Sequence, residues 1–187
     1  MWKSVAVFCG SKAGKNPLFK QHTYELGELL AKKNITLIYG GGKNGLMGII
    51  ADTVLQRGGK VIGVIPTLLN EKEHQHDALS TLHVVEDMHT RKKMMYELSD
   101  AAIILPGGYG TLDELFEMIT WNQLNIHNKK VVLLNSDNYY DHLIAHLDQM
   151  QSEGFLYSDW KESVVIVYDP QALLFLMDED KHQNHHE

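Results

Sequence analysis

Seven short apolar runs constrain this chain more than any other feature: Ser4 to Phe8, Ile35 to Tyr39, Val61 to Ile65, His83 to Val85, Ala101 to Leu105, Val131 to Leu134 and Ser163 to Val167. They are rich in β-branched residues and nearly continuous in apolar character. A strand with one wet face would alternate, so these predict strands covered on both faces, in a mostly parallel sheet. Patterns of helical period fall between them, over Pro17 to Lys33, Leu46 to Arg57, Met88 to Leu98, Leu112 to Leu124, Tyr140 to Gln151 and Gln171 to Met177. Strand and helix thus alternate, which implies an α/β fold: a doubly wound, Rossmann-like sandwich of about seven strands with right-handed crossovers. No linker or internal repeat interrupts the order, and 187 residues make one ordinary domain. We expect that domain at 1–177, followed by a polar, disordered tail at 178–187. The weakest pattern lies from Pro66 to Leu82, where the polar stretch Glu71 to Asp77 is expected to form a mobile loop.

Charge and cysteine content narrow the function. Seventeen basic residues stand against 24 acidic ones, for a net charge of −7. Tight nucleic-acid binding needs a basic field, so no nucleic-acid partner is expected. The single cysteine, Cys9, has no internal disulfide partner and fits a reducing compartment. No apolar stretch approaches the roughly 18 residues of a membrane span, and the first residues lack the pattern of a secretory signal. The expectation is a cytoplasmic protein with no membrane partner.

Three glycine-bearing loops, Cys9 to Gly14, Gly40 to Gly48 and Pro106 to Thr111, each follow a predicted strand. In an open parallel sheet, ligands sit beyond the carboxyl ends of the strands. Glycine lets the backbone approach a phosphate there, and the next helix supplies free amides. One alternative is that the glycines only close tight turns. The second loop, Gly40-Gly41-Gly42-Lys43-Asn44-Gly45, satisfies G-x-G-x-x-G, yet no ribose-binding carboxylate appears in Val61 to Pro66, which disfavours a dinucleotide and leaves a mononucleotide. The first loop, Gly10-Ser11-Lys12-Ala13-Gly14-Lys15, has the wrong spacing for a phosphate-binding P-loop, and Asn16 replaces its hydroxyl residue.

The third loop is the most specific. Pro106-Gly107-Gly108-Tyr109-Gly110-Thr111-Leu112-Asp113-Glu114 resembles the P-G-G-x-G-T-x-x-E signature of the LOG family. These are phosphoribohydrolases of cytokinin riboside 5′-monophosphates, often labelled lysine decarboxylases. The resemblance extends over almost the whole chain, through Val7 to Ser11, Gly40 to Gly42 with Gly45 to Gly48, Met88-His89-Thr90-Arg91-Lys92, and Thr120 to Leu124. Departures are Lys12, at the mouth of the site, and Asn125 and Lys130 further on. The resemblance implies a Rossmann-like, usually homodimeric enzyme that cleaves the N-glycosidic bond of a purine nucleoside 5′-monophosphate, AMP or an N6-substituted form. The products are free base and ribose 5-phosphate, with no metal or organic cofactor. It maps the catalytic pair onto Glu114 and Arg91, and substrate or phosphate binding onto Ser11, Gly41, Gly42, Gly45, Met88, Lys92, Gly107, Gly108, Tyr109, Gly110 and Thr111. The alternative is a non-catalytic carrier of a nucleotide or phosphorylated cofactor. A pyridoxal-phosphate decarboxylase is disfavoured, because nothing singles out a Schiff-base lysine or a partner for the pyridine nitrogen.

Structural readings stand beside these roles. Thr111 and Glu114 also fit a T-x-x-E capping box, with the threonine as helix cap. Yet breaking a ribosyl bond develops positive charge on the sugar, which a carboxylate there can stabilise while it activates water. Arg91 falls on the helical stripe of Met88, Met95 and Leu98. A buried guanidinium needs an anion: an acid such as Glu117 in a structural pair, or the substrate, or Glu114, which it would orient. His74, His76, His182, His185 and His186 lack carboxylate or cysteine ligands at useful spacing and are expected to be solvated. Met88, Met94 and Met95 are core filler, a dimer surface or contacts to a purine.

Overall fold

The computed structural model describes residues 2–69 and 75–178. Seven strands form one sheet: β1 Ser4–Phe8, β2 Thr36–Tyr39, β3 Val61–Pro66, β4 Thr81–Val85, β5 Ala101–Ile104, β6 Lys130–Leu134 and β7 Val164–Val167. Every pairing between them is parallel. Between and after them lie α1 Pro17–Lys32, α2 Gly45–Gln56, α3 Met88–Glu97, α4 Tyr109–Gln123, α5 Asp141–Ser152, α6 Trp160–Ser163 and α7 Leu173–Asp178.

The continuous apolar runs are explained by two cores, one on each face. Successive side chains of a strand point to opposite sides, so Val5 and Val7 join one core with Leu26, Leu46, Ile50 and Leu173. Ala6 and Phe8 join the other with Met95, Leu115, Met118 and Leu147. Helices α1, α2 and α7 therefore cover one face, and α3, α4, α5 and α6 the other. Burying one aliphatic side chain is worth about 1.5–3 kcal/mol. With both faces of the central strands dry, apolar residues are favoured at either parity, which is why the sequence shows no alternation.

The sheet order is β4-β3-β2-β1-β5-β6-β7. The chain winds outward from β1 to β4, then returns to the other side of β1 for β5. The topological switch point therefore lies between β1 and β5, where their carboxyl ends diverge and a crevice must open. That junction joins Cys9 to Ser11 with Pro106 to Thr111.

The structure revises several sequence expectations. Helix α4 starts at Tyr109, three residues before the predicted Leu112, because Gly108 is its cap. The last helix starts at Leu173, after a 3-10 turn at Pro170–Ala172. The short α6 and a 3-10 turn at Ser136–Asn138 have no periodic signal and went unpredicted. Between β3 and β4, Gln75 bridges Gly42 and His76 donates its amide to the Gly41 carbonyl at 3.1 Å, so the described part of that loop is tied to the second glycine turn. Asp178, the first residue of the expected tail, is the last residue of α7. The remainder of the predicted mobile loop and residues 179–187 lie outside the described residues, as do His74, His182, His185 and His186.

Candidate active site

A cavity of about 310 Å³ opens at the switch point, lined from β1 by Cys9 to Ser11, from β2 by Gly40, and by helices α3 and α4. Arg91, Met88, Gly108, Tyr109, Gly110, Thr111 and Glu114 all face it, together with Ser11. These are eight of the residues that the sequence singled out, drawn from three distant segments. A larger, polar cavity of about 830 Å³ opens at the amino ends of the strands, beside Trp2, Asp100 and Lys130, and contains none of them.

Glu114 and Arg91 are both buried, at 8% and 5% exposure. Arg91 does not pair with Glu117, contrary to the structural reading of the sequence. Its Nε donates to the Val64 carbonyl at 3.1 Å and its Nη2 to the Gly40 carbonyl at 3.3 Å. Those acceptors sit at the carboxyl ends of β3 and β2. The fork is thus held by neutral main chain, and its positive charge is directed at the cavity. Gly40 makes this possible, because a Cβ there would overlap the guanidinium. Nη1 also lies 3.7 Å from Met88 Sδ, and Met88 is 36% exposed at the cavity rim.

Glu117 belongs instead to a polar cluster beneath the site. It accepts from Tyr96 Oη at 2.9 Å and from Lys92 Nζ at 3.0 Å, while Lys92 also reaches Asp113 at 3.1 Å. Burial works against the Lys92 ammonium, but its bonds to Glu117 and Asp113 outweigh that and raise its pKa overall. Burial, followed by the Glu117 charge, pushes the Tyr96 phenol well above its ordinary value. Lys92 does not line the cavity, so its predicted place in the binding site is not seen. It locks α3 to α4, on which Arg91 and Glu114 are carried.

The capping box is not formed. Gly108 is the cap of α4 and no side chain caps it, while Thr111 is the third residue of the helix. The first-turn amides of a helix have no intrahelical acceptor, so α4 presents donors and a positive dipole end to the cavity. A Cβ on Gly108 or on Gly110 would meet nothing within 4 Å. Packing does not demand glycine there.

The second glycine turn acts as scaffold. Gly41, Gly42 and Gly45 do not line the cavity. Gly45 has φ +60°, and a Cβ there would run into the backbone of Ser11. Leu46 donates its amide to the Gly10 carbonyl at 3.1 Å, and Gly10 donates its own to the Pro106 carbonyl at 3.0 Å. The three glycine loops are thus stacked backbone to backbone, which places Ser11. Gly107 is packed against the Thr111 side chain and the Gly10 amide, outside the cavity lining. Val7, Phe8, Gly40, Met47, Leu69 and Asp113 complete the lining. All but Leu69 lie within segments that carry the family resemblance, and Leu69 has no signal in the sequence.

His76 is buried at 8% exposure rather than solvated. Its Nδ1 accepts from the Ala78 amide at 3.2 Å and its Nε2 lies 2.9 Å from Asp52 Oδ1. Among the described residues no cluster of three His, Cys, Asp or Glu side chains could hold a metal ion, and no helix is long and apolar enough to cross a membrane.

Residues 47–177 match the family model described as "Possible lysine decarboxylase". The cytokinin riboside 5′-monophosphate phosphoribohydrolase of Rhodococcoides fascians is 44% identical over 173 residues, 92% of this chain and 87% of that one. An enzyme of the same name from Arabidopsis thaliana is 49% identical over 155 residues, 83% and 73% of the two chains. The chain belongs to the LOG family. LOG-family relatives carry the phosphoribohydrolase name, and among the described residues no lysine lines the cavity. Among solved structures, the molybdenum cofactor binding protein of Rippkaea orientalis matches with a TM-score of 0.72 at 24% identity, covering 97% of this chain and 98% of that one. A Moco carrier protein of Chlamydomonas reinhardtii matches with a TM-score of 0.69 at 21% identity, covering 96% and 97%. Those two likenesses establish the fold.

Proposed function

We propose that this protein is a hydrolase of purine nucleoside 5′-monophosphates, AMP or its N6-substituted forms, which it cleaves to free base and ribose 5-phosphate. The observation that carries this reading is the convergence of buried Glu114 and buried Arg91 on one cavity with the uncapped start of α4. The first-turn amides and the Arg91 charge attract the 5′-phosphate. With the phosphate anchored there, the ribose lies over Glu114. As the bond from C1′ to the base nitrogen breaks, the base leaves with the bonding pair and takes up a proton, and cationic character develops at C1′. The Glu114 carboxylate stabilises that charge and accepts a proton from the water that adds to C1′. No metal or organic cofactor enters this scheme.

The test is incubation of purified protein with paired nucleoside 5′-monophosphates and nucleosides, followed by chromatography for free base. Release from nucleotides but poorly from nucleosides is expected. Equal cleavage of both would overturn the phosphate assignment. Binding without cleavage would favour the carrier alternative, which the structural neighbours support through fold alone. We further propose a cytoplasmic homodimer with α3 near the interface, where Met88 and Met94 are partly exposed. Light scattering should give about twice the 21.3 kDa chain mass, and a monomer at micromolar concentration would refute it.

A further inference from the structure

We infer that Tyr139, on the loop between β6 and α5, is a positioning residue for the phosphate-binding loop. The proposal rests on the nucleotide-hydrolase reading above. Four consecutive carbonyls, that of Leu105 and the first three of the third glycine loop, are each held by a donor. Leu105 O accepts from Tyr140 Oη at 2.7 Å, Pro106 O from the Gly10 amide at 3.0 Å, Gly107 O from Tyr139 Oη at 2.6 Å, and Gly108 O from the Leu112 amide at 3.2 Å. With its acceptors committed in this way, the loop presents donors to a ligand.

The Tyr139 bond matters most, because a trans peptide points its C=O and the next N–H in opposite directions. Among the described residues no peptide is cis. Drawing the Gly107 carbonyl toward Tyr139 therefore turns the Gly108 amide away from it. Tyr139 lies on the α1 side of the loop, in a second cavity of about 320 Å³ that it shares with Phe19 and Lys12. Gly108 lines both cavities, so its amide is aimed into the one that holds Arg91 and Glu114. The packing around Gly107 leaves no side chain of its own to hold this peptide, and an unpinned glycine peptide rotates freely.

The loop carrying Tyr139 is itself built to hold a position. Asp137 and Asn138 both adopt left-handed φ, 50° and 59°. Asp137 bonds Asn16 at the cap of α1, and Ser136 Oγ lies 2.8 Å from Nδ1 of buried His22. Asn135 accepts from the Tyr140 amide at 2.7 Å and donates to Asp141 at 2.8 Å. The Tyr139 ring packs edge-on against Phe19, with centroids 5.4 Å apart. Strained backbone retained by such a network belongs where a precise geometry is required.

Tyr139→Phe removes the hydroxyl and keeps the ring on Phe19. A neutral hydrogen bond of this kind corresponds to roughly a 2- to 13-fold change in an equilibrium constant. KM for AMP and the dissociation constant for inorganic phosphate, by calorimetry, should both rise within that range. The much slower cleavage of adenosine, which has no phosphate, should be unchanged, and the melting temperature should fall by no more than the roughly 2–4 °C expected for losing one such bond in a domain of this size. Wild-type affinities for both AMP and phosphate would overturn the proposal. So would equal losses on AMP and adenosine, or a fall in melting temperature beyond those few degrees, since either outcome reports a structural role. If wild-type protein cleaves no mononucleotide, the hydrolase reading falls, and the phosphate titration of the two proteins still decides whether Tyr139 positions the loop.

Discussion

Glu114→Gln separates chemistry from structure at the centre of the site. Glutamine keeps the shape of the side chain but can neither take a proton from water nor neutralise a ribosyl cation. Lost acid/base catalysis lowers turnover on the order of 10² to 10⁴-fold, equivalent to about 2.7 to 5.4 kcal/mol in the barrier. The stability change is expected to be small, for reasons visible in the structure. Glu114 is the sixth residue of a helix capped by Gly108, so no capping bond is lost. Its charge lies in the second turn of α4, so the loss of dipole interaction stays below the roughly 0.3–1 kcal/mol typical of the first turn. Arg91 keeps its acceptors, Val64 O and Gly40 O, and is not stranded when the carboxylate goes. A change of ~1 kcal/mol shifts Tm by about 2–4 °C in a domain of this size. Turnover of AMP, calorimetric melting and AMP binding should be measured on one preparation. The expected result is a Tm within those few degrees, retained AMP binding and turnover reduced at least a hundredfold. Turnover within tenfold of wild type would refute the catalytic assignment, and loss of folding would refute the argument about the cap.

Three further outcomes follow from the same geometry. Gly110→Ala should raise stability by up to about 1 kcal/mol through helix propensity while raising KM for mononucleotides, because the new methyl meets no protein atom and Gly110 lines the cavity; Gly107→Ala, which drives a methyl into Thr111 and the Gly10 amide, should instead cost about 1–3 kcal/mol, and thermal melts with KM measurements compare the two. Gly40→Ala should displace the Arg91 fork and lower kcat/KM for AMP by at least roughly tenfold, the scale of one lost charge-assisted hydrogen bond, with little change for nucleosides. Burial first, and the Lys129 charge second, hold the His127 pKa below its ordinary 6.5; the unfolded chain therefore takes up the proton first, so stability is full above pH 6.5 and declines as pH falls from there through the folded-state value, and His127→Gln should flatten that part of a melting-temperature profile.

Much of the architecture was determined by the sequence alone. Apolar runs without alternation require strands covered on both faces, and their alternation with helical periods requires a parallel sheet with helices on both sides. Glycine after three of those strands marked the ligand end, and the Pro106 to Glu114 signature marked the helix start that faces the cavity. The tertiary structure decided what those features do to one another. The strand order put β1 beside β5 and so brought Ser11, Arg91 and Glu114, more than a hundred residues apart at the extremes, to one crevice. It gave Arg91 main-chain acceptors in place of Glu117, committed Lys92 to a bridge between α3 and α4, and moved the cap of α4 from Thr111 to Gly108. It also set Tyr139 against Gly107, 32 residues away. The physical reason is the same in each case. Periodicity reports which face of an element is dry, whereas a carbonyl oxygen is identical in every residue and becomes a specific partner only when the fold delivers it.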